Sequence, residues 1–529
     1  MAGQHHHHKP SGCGHGDTIS YTEALERLRQ TARSQATSID RSSTHQDEPN
    51  NEADGKLEAI FPLVDAVGRR SRYTTSAQQP TPPWDTSAMD GFALCSALTL
   101  DASPSDPVIF EIKGTIAAGA TMSPRQSGLP QADPVHRCVE IMTGARFADE
   151  LYPEMDAVVK VEDVQHVRFD PAQQEDNRYV SATVEDAQFI RITMPARSRQ
   201  HRRPAGSDFR AGDVAIYAGD TISPAHVMAL ASLGFGSIEV LPEVCRSRRR
   251  TVSSTFAQPR VGILTTGSEL FDATACATAE DHSMKSNDML DSLSNQIPNS
   301  NGPYLQSAIK AWNVAAHVTN LGIVRDKRIV LSRTLSRAIH SGSYDVLIST
   351  GGVSMGRFDL VREVLEQDLD ADIVFHGVSV RPGLPILFAT VKTQTYSVAY
   401  FGLPGNPLAA AAGLQFFVRP YLQMLSSSDC SSPLRMSAFF ESPEDRGKDS
   451  KPEICRRKPT RLNVFWLGRR HSLPVDANLS INSRSSVEIL SNQSSYKVQN
   501  ILKADCWISV PAGTESIQES DEVDVFSVF

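Results

Sequence analysis

The spacing of apolar residues changes several times along the chain, and each change predicts a different kind of element. Near the start, "SYTEALERLRQTA" has an acidic first turn and helical apolar spacing, and "LEAIFPLVDAVGRR" is expected to form a second helix. The stretch between them, "RSQATSIDRSSTHQDEPNNEADG", is polar and rich in turn-formers, which predicts an unstructured insertion. From about residue 108 to 195 the pattern shortens to strand-like runs, "VIFEIKG", "VHRCVEIMTG", "MDAVVKVEDV" and "QFIRITMPA", separated by Pro, Gly and Asp. A small β-rich domain with a polar insertion near 124–134 is expected there.

"AGDVAIYAGDTISPAHVMALASLGFGSIEVL" then offers a strand, a turn at Gly219-Asp220 and a helix, and a basic, Ser-rich linker follows over 245–258. From 260 to 425, apolar strands alternate with helices: "RVGILTTG", "SNDMLDSLSNQI", "AAHVTNLGIV", "DKRIVLSRTLSRAIHSG", "YDVLISTGG" and "DLVREVLEQDL". This alternation predicts a doubly wound α/β domain, whose ligands gather at the carboxyl ends of its strands. After a polar linker around 441–459, "RLNVFWLGRR", "SSVEIL", "ADCWISVPAG" and "DEVDVFSVF" predict a separate C-terminal β domain.

Composition narrows the class. With 529 residues, 40% hydrophobic and 21% charged, the chain can bury ample core, and its length suggests about three or four domains. The formal net charge is −9, and the basic bursts "PARSRQHRR" and "RSRRR" lack interleaved aromatics, so solvated loops or an anion-facing patch fit them better than nucleic-acid binding. Eight scattered cysteines without a CxxC pair fit a reducing compartment. No run approaches the ~18 apolar residues of a membrane span, and the start, "MAGQHHHHKPSGCGHG", lacks the apolar region of a signal peptide, so a soluble cytosolic protein is expected. Its His5 to His8, Cys13 and His15 could take a metal, although flexible tracts of this kind usually do so adventitiously.

Three strands of the α/β block end in unusual loops, "TTGSEL", "STGGVSMGRFD" and "FGLPGNPLAAAAG". If those strands are parallel neighbours, the loops meet at one rim. Gly351 and Gly352 permit close backbone approach, Ser354 adds a hydroxyl, and Asp359 would begin the next helix, whose N-terminus favours anions. Pro404 and Pro407 fix φ, Gly405 frees the turn and Asn406 can cap the Ala-rich helix. Upstream, "PPWDTSAMDGFAL" supplies Asp85 and Asp90, which with Glu269 and Asp359 make four loop carboxylates; carboxylates near phosphates usually hold Mg2+. Arg381 in "VSVRPGLPILFAT", and Arg202 and Arg203 before "PAGSDFRAGD", are fixed cations suited to oxyanions. Each residue alone has an ordinary explanation as turn, cap or surface ion pair; their convergence points to a ligand.

Taken in order, "SAMDGFAL", "VEIMTGA", "MDAVVKVED", "TTGSEL", "STGGVSMGRFD", "RPGLPILFAT" and "FGLPGNPLAAAAG" resemble the MoeA family, including the E domain of gephyrin-type proteins, over residues 82–425. The resemblance implies a multidomain α/β-plus-β protein whose central doubly wound domain is of the molybdopterin-binding type. Its expected divisions are a His-rich tail at 1–16, a linker and dimerisation domain at 17–94 and 196–245, a small β-rich domain at 95–195, the α/β domain at 246–428 and a C-terminal β domain at 429–529. It implies an elongated homodimer whose active cleft pairs the α/β domain with the partner's small β domain. The implied reaction joins adenylylated molybdopterin and molybdate, with Mg2+, to give molybdenum cofactor and AMP.

By position, the resemblance assigns catalysis to Asp90, Thr143, Asp208, Glu269 and Asp359, with Glu269 and Asp359 at the metal. It assigns substrate binding to Thr266, Gly267, Ser286, Asn287, Gly351, Gly352, Val353, Ser354, Arg381, Pro382, Gly383, Pro404, Gly405, Asn406 and Pro407. Where the family has an Asp-Ser-Asn or Asp-Thr-Asn turn before a helix, this chain is expected to place "MKSND", with Lys285 reversing a charge beside the metal. Arg381 stands where lysine is common, and "GRRSRYTTSAQQP" departs from the family's usual strand. Lys285 motivates an alternative, a pterin-binding or scaffolding paralogue of impaired activity. A molybdopterin adenylyltransferase is a third reading, disfavoured by the extra β domains and "LPGNP"; such an enzyme is also a possible docking partner.

Overall fold

The computed structural model describes residues 18–36, 60–120, 123–124, 136–170, 179–183, 186–242, 258–273, 296–354, 360–426, 435–440, 462–472, 485–491, 493–514, 517 and 521–528. At its centre is a six-stranded sheet in the order His317–Val324, Arg260–Thr266, Val346–Thr350, Ser397–Leu403, Leu387–Lys392, Asp372–His376. The first four strands run parallel, and Leu387–Lys392 pairs antiparallel with both of its neighbours. Alternate residues feed two cores. Ile263, Ile348 and Phe401 pack with Leu305 and Ile309 of the helix Asn301–Trp312, whereas Leu264, Leu347 and Tyr400 pack with Leu331 and Leu335 of Arg328–His340. Helices on both faces make the domain doubly wound, as the alternating pattern predicts.

The helix Asn301–Trp312 is absent from the sequence reading, and its position is informative. Gly302-Pro303 looks like a breaker, yet proline is tolerated in a first turn, where its missing N–H costs nothing. A Cβ on Gly302 would lie 2.9 Å from Asn299 Nδ2, so glycine is what lets this turn close. The expected helix "SNDMLDSLSNQI" lies outside the described residues up to Asn295.

Residues 60–90 and 196–240 interleave into a linker region. Ile60–Pro62 pairs with Ser237–Glu239, Thr75–Ser76 with Val214–Ile216, and Arg202–Arg203 with Thr86–Ser87. The expected second helix is therefore corrected: its described part is the strand Ile60–Pro62 followed by a single 3-10 turn, Leu63–Asp65. Pro62 adopts an extended conformation at ψ 140° and Gly68 a φ of +86°, which confines the helical turn between them. The predicted first helix forms as Tyr21–Ala36, but it docks on the α/β domain. Its Ala24, Leu28 and Ala32 share a core with Leu422 and Leu425, and buried Gln35 donates to the Asp345 carbonyl at 2.7 Å. Burial of a leucine such as Leu28 contributes about 1.5–3 kcal/mol.

Between the two linker segments sits the β-rich domain. All four predicted runs become strands, Val108–Ile116, His136–Ile141, Ala157–Lys160 and Phe189–Ile192, of one eight-stranded sheet. The helix Pro224–Ser232 packs on Asn301–Trp312 and starts with a capping box, in which the Ser223 hydroxyl accepts from His226 N–H. At the C-terminus, Asn463–Ser472, Ser485–Ile489, Arg435–Phe440, Glu522–Ser527 and Cys506–Val510 pair in sequence, and the last pairs back with the first to close the sheet. Among the described residues no helix is long and apolar enough to cross a membrane. The His-rich start and the insertions at 37–55 and 125–133 lie outside the described residues.

Candidate active site

A cavity of about 820 Å³ opens at the carboxyl ends of the parallel strands. Arg260–Thr266, Val346–Thr350 and Ser397–Leu403 are adjacent and parallel, so the loops that follow them meet at one rim, as expected. Two hydrogen bonds fasten the three ends together: Thr266 Oγ1 donates to the Thr350 carbonyl at 3.2 Å, and Gly351 N–H to the Leu403 carbonyl at 2.9 Å. Gly351 has a φ of +86°, and a Cβ there would lie 2.7 Å from Thr266 Oγ1, so no side chain fits without opening the rim. Gly352, Val353, Ser354, Thr266, Gly267, Pro404, Gly405, Asn406 and Pro407 all line the cavity. Asn406 occupies the N-cap position of Pro407–Gly413, but its side chain makes no capping bond, which leaves its amide for the pocket.

Glu269 lines the same wall, and a carboxylate that sequence reasoning missed, Asp326, stands near it. Burial pushes the Glu269 carboxyl up to about 7, and the Asp326 charge adds to the shift. Burial likewise raises Asp326, which accepts from Ser268 N–H at 2.8 Å while its own N–H donates to Ser268 Oγ at 3.1 Å. Asp326 directly follows the strand His317–Val324 and Arg325, so the strand-end rule that singled out the other loops would have found it. Two half-buried carboxylates, the Asp326 charge raising the Glu269 pKa, offer hard oxygen donors, and Mg2+ is commonly held by one or two carboxylates plus substrate phosphates. The donor set therefore fits this ion, although no cluster of three or more metal-ligating side chains forms among the described residues. Asp359, expected as the second ligand, lies outside them.

The opposite wall comes from the small β domain of the same chain, whereas the resemblance implies a partner's domain at this place. Thr143 donates to Asp90 Oδ1 through both its N–H, at 2.7 Å, and its hydroxyl, at 2.8 Å. With its proton committed to a carboxylate, the Thr143 hydroxyl turns lone pairs toward its surroundings. Gly119 brings this domain against Glu269: a Cβ on Gly119 would lie 2.4 Å from Glu269 Cα. Asp208 also lines the cavity, but its carboxylate accepts from Val498 N–H at 3.0 Å and Gln499 N–H at 2.9 Å. Burial pushes Asp208 up to about 6 against those bonds, so it is a latch for the C-terminal domain.

Several expectations are corrected. Arg381 is exposed, and its backbone pairs with the C-terminal strand Asn463–Ser472; neither it nor Pro382 nor Gly383 lines the cavity, which reaches only Pro385 of that turn. Among the described residues, the cations on the wall are Arg203 and Arg325. Asp85 is committed to Ala205 N–H, at 2.8 Å, and to Arg202, whose Nε lies 2.7 Å from Oδ2, and against the effect of burial these partners hold its carboxyl below the ordinary range. Ser286 and Asn287 lie outside the described residues, as does Lys285. The turn that precedes a helix and lines the cavity is Asn299-Ser300-Asn301. Asn299 accepts from Gly302 N–H at 3.1 Å and donates to Thr265 Oγ1 at 3.2 Å, and Asn301 Nδ2 donates to the Gly405 carbonyl at 2.8 Å. The turn is thereby tied to two of the three loops, and its three side chains carry no charge.

Comparisons with known proteins span nearly the whole chain. Three family models match in succession: MoeA N-terminal region (domain I and II) over residues 19–234, a probable molybdopterin binding domain over 262–424, and MoeA C-terminal region (domain IV) over 467–528. A Synechococcus elongatus molybdopterin molybdenumtransferase is 28% identical over 467 residues, covering 88% of this chain and 94% of its own. A Bacillus subtilis protein of the same name is 29% identical over 468 residues, covering 88% and 89%. A molybdopterin biosynthesis moeA protein from Pyrococcus horikosii superposes with a TM-score of 0.38 at 19% identity, covering 97% of this chain and 99% of that one.

Proposed function

Because the chain belongs to the MoeA family, we propose that it is a molybdopterin molybdenumtransferase, which inserts molybdate into adenylylated molybdopterin and releases AMP. The observation that carries this reading is the convergence of three strand-end loops and two half-buried carboxylates, Glu269 and Asp326, in one cavity facing Asp90 and Thr143. The N–H groups that follow Gly351, whose own N–H is spent on the Leu403 carbonyl, suit phosphate oxygens, because the positive φ of Gly351 and Gly352 turns the backbone there. Glu269 and Asp326 would hold Mg2+, which supplies Lewis-acid polarisation of the bridging phosphate. Asp90 orients the Thr143 hydroxyl as an acceptor, suited to fix a water or a substrate N–H or O–H at the reacting end. Attack by a water oxygen at the AMP phosphorus forms one P–O bond as the bridging P–O bond breaks, releasing AMP and the pterin's terminal phosphate; the two dithiolene thiols then bond molybdenum as one molybdate oxygen leaves as water with their two protons, with no change of oxidation state.

The same reading extends to a cytosolic homodimer supplied by a molybdopterin adenylyltransferase, which the family resemblance supports. The test is reconstitution: purified protein, adenylylated molybdopterin, Mg2+ and molybdate are added to a molybdenum-free apoenzyme. Molybdate-dependent activation supports the transferase, and activation equal to a protein-free control sinks it.

A further inference from the structure

Arg202 and Arg203 are neighbours on one short strand, so their side chains leave on opposite faces. Arg202 enters an ion-pair cluster with Asp85 at 2.7 Å and Asp149 at 2.6 Å. Arg203 faces the cavity, mostly buried, and among the described residues no hydrogen bond or ion pair engages its guanidinium; its Nε is buried without a partner. The carboxylate best placed to neutralise it, Asp208, is already accepting from Val498 and Gln499 N–H. Burial lowers the Arg203 pKa, with Tyr496 and Asp208 opposing the shift. A buried, unpaired guanidinium is costly, and it is kept where an anion will arrive.

Tyr496 gives the fork its orientation. The Arg203 guanidinium carbon lies 4.0 Å from the centroid of the Tyr496 ring, a cation–π stack that holds the planar group flat. Tyr496 belongs to the C-terminal domain, two residues before Val498, so the Asp208 latch that seats this segment also seats the ring over Arg203.

We propose that Arg203 is the cavity's receptor for a tetrahedral oxyanion, phosphate or molybdate, and that Tyr496 is a positioning residue that aims its fork. This rests on the reading that the cavity takes adenylylated molybdopterin and molybdate. It moves the role of anion receptor from Arg381, which lies outside the cavity, to Arg203, and it makes the C-terminal domain part of the site.

The test is calorimetric titration of the full-length protein and its Arg203→Gln, Arg203→Lys and Tyr496→Leu variants with two probes, sodium molybdate and AMP, alongside thermal melts. Arg203→Gln is expected to weaken one probe by about tenfold or more and leave the other within about twofold. Its melting temperature is expected to equal or exceed that of the native protein, because an unpaired buried charge has been removed. Arg203→Lys keeps the charge, loses the fork, and falls between, as does Tyr496→Leu; should Arg203→Gln fail to fold, these two carry the test. Loss confined to molybdate assigns the seat to molybdate, and loss confined to AMP assigns it to a phosphate. Native affinity for both probes in the variants overturns the proposal alone. A native protein that binds neither probe overturns it together with the functional reading.

Discussion

Asp208 and Val498, 290 positions apart in sequence, are joined by a 3.0 Å hydrogen bond from the Val498 N–H to the Asp208 carboxylate. Gln499 N–H adds a second at 2.9 Å, so a single side chain of the linker region fastens the C-terminal domain beside the cavity.

This latch sets a pH dependence. The folded protein holds the Asp208 carboxyl at about 6, above the ordinary 3.8, because burial outweighs its two N–H donors. The folded state therefore keeps a proton that the unfolded chain has already released, and the stability this provides is full below the ordinary value and lost as pH rises through about 6. Asp208→Asn is expected to flatten that limb. Urea midpoints at roughly pH 4.5 and pH 7 should differ less in the variant than in the native protein, and parallel profiles would contradict the assignment.

Gly119 sits where the small β domain touches Glu269, with a φ of +71° and its missing Cβ only 2.4 Å from Glu269 Cα. Gly119→Ala should push the two walls of the cavity apart and lower turnover by about tenfold or more. Because the contact lies between domains, the midpoint should shift by only about 1–2 kcal/mol. A large loss of stability with native activity would mean that Gly119 serves the fold alone.

Asp90→Ala frees the Thr143 hydroxyl and N–H, both of which donate to Asp90 Oδ1. Turnover should fall about 100-fold, with the loss in kcat rather than KM, since a catalytic group loses its orientation while the phosphate loops stay intact. Asp90→Asn retains an acceptor oxygen and should recover part of it. Equal rates for the two variants would argue against orientation as the cause.

Lys285→Asp should leave turnover within about twofold of native, whereas Asn301→Ala should lower it by roughly tenfold, because Asn301 fastens the Asn299-Ser300-Asn301 turn to the Gly405 carbonyl. Rates measured side by side decide the matter. A large gain from Lys285→Asp would return the charge reversal to the active site.

Much of this was legible from apolar spacing. The alternating strands and helices of the central domain, the four runs of the small β domain and the rim of three loops follow from periodicity and from the rule that ligands gather at strand ends. What escaped has physical causes. The chain of "LEAIFPLVDAVGRR" is helical in spacing, but Pro62 and a strand partner at Ser237–Glu239 override it. Asn301–Trp312 begins with Gly-Pro, which reads as a break unless its first-turn position is known. Arg381 and Arg203 are equally basic in sequence, and only the pairing of Val380–Arg381 with the C-terminal sheet removes one from the cavity. The bond from Val498 N–H to Asp208 joins residues of distant segments and leaves no signal in the sequence.

The most direct test of the central claim is AMP release from adenylylated molybdopterin by the purified full-length protein, measured with and without molybdate in the presence of Mg2+. The account predicts AMP release that rises with molybdate and is abolished by Glu269→Gln. Release that ignores molybdate, or that survives Glu269→Gln unchanged, would contradict it.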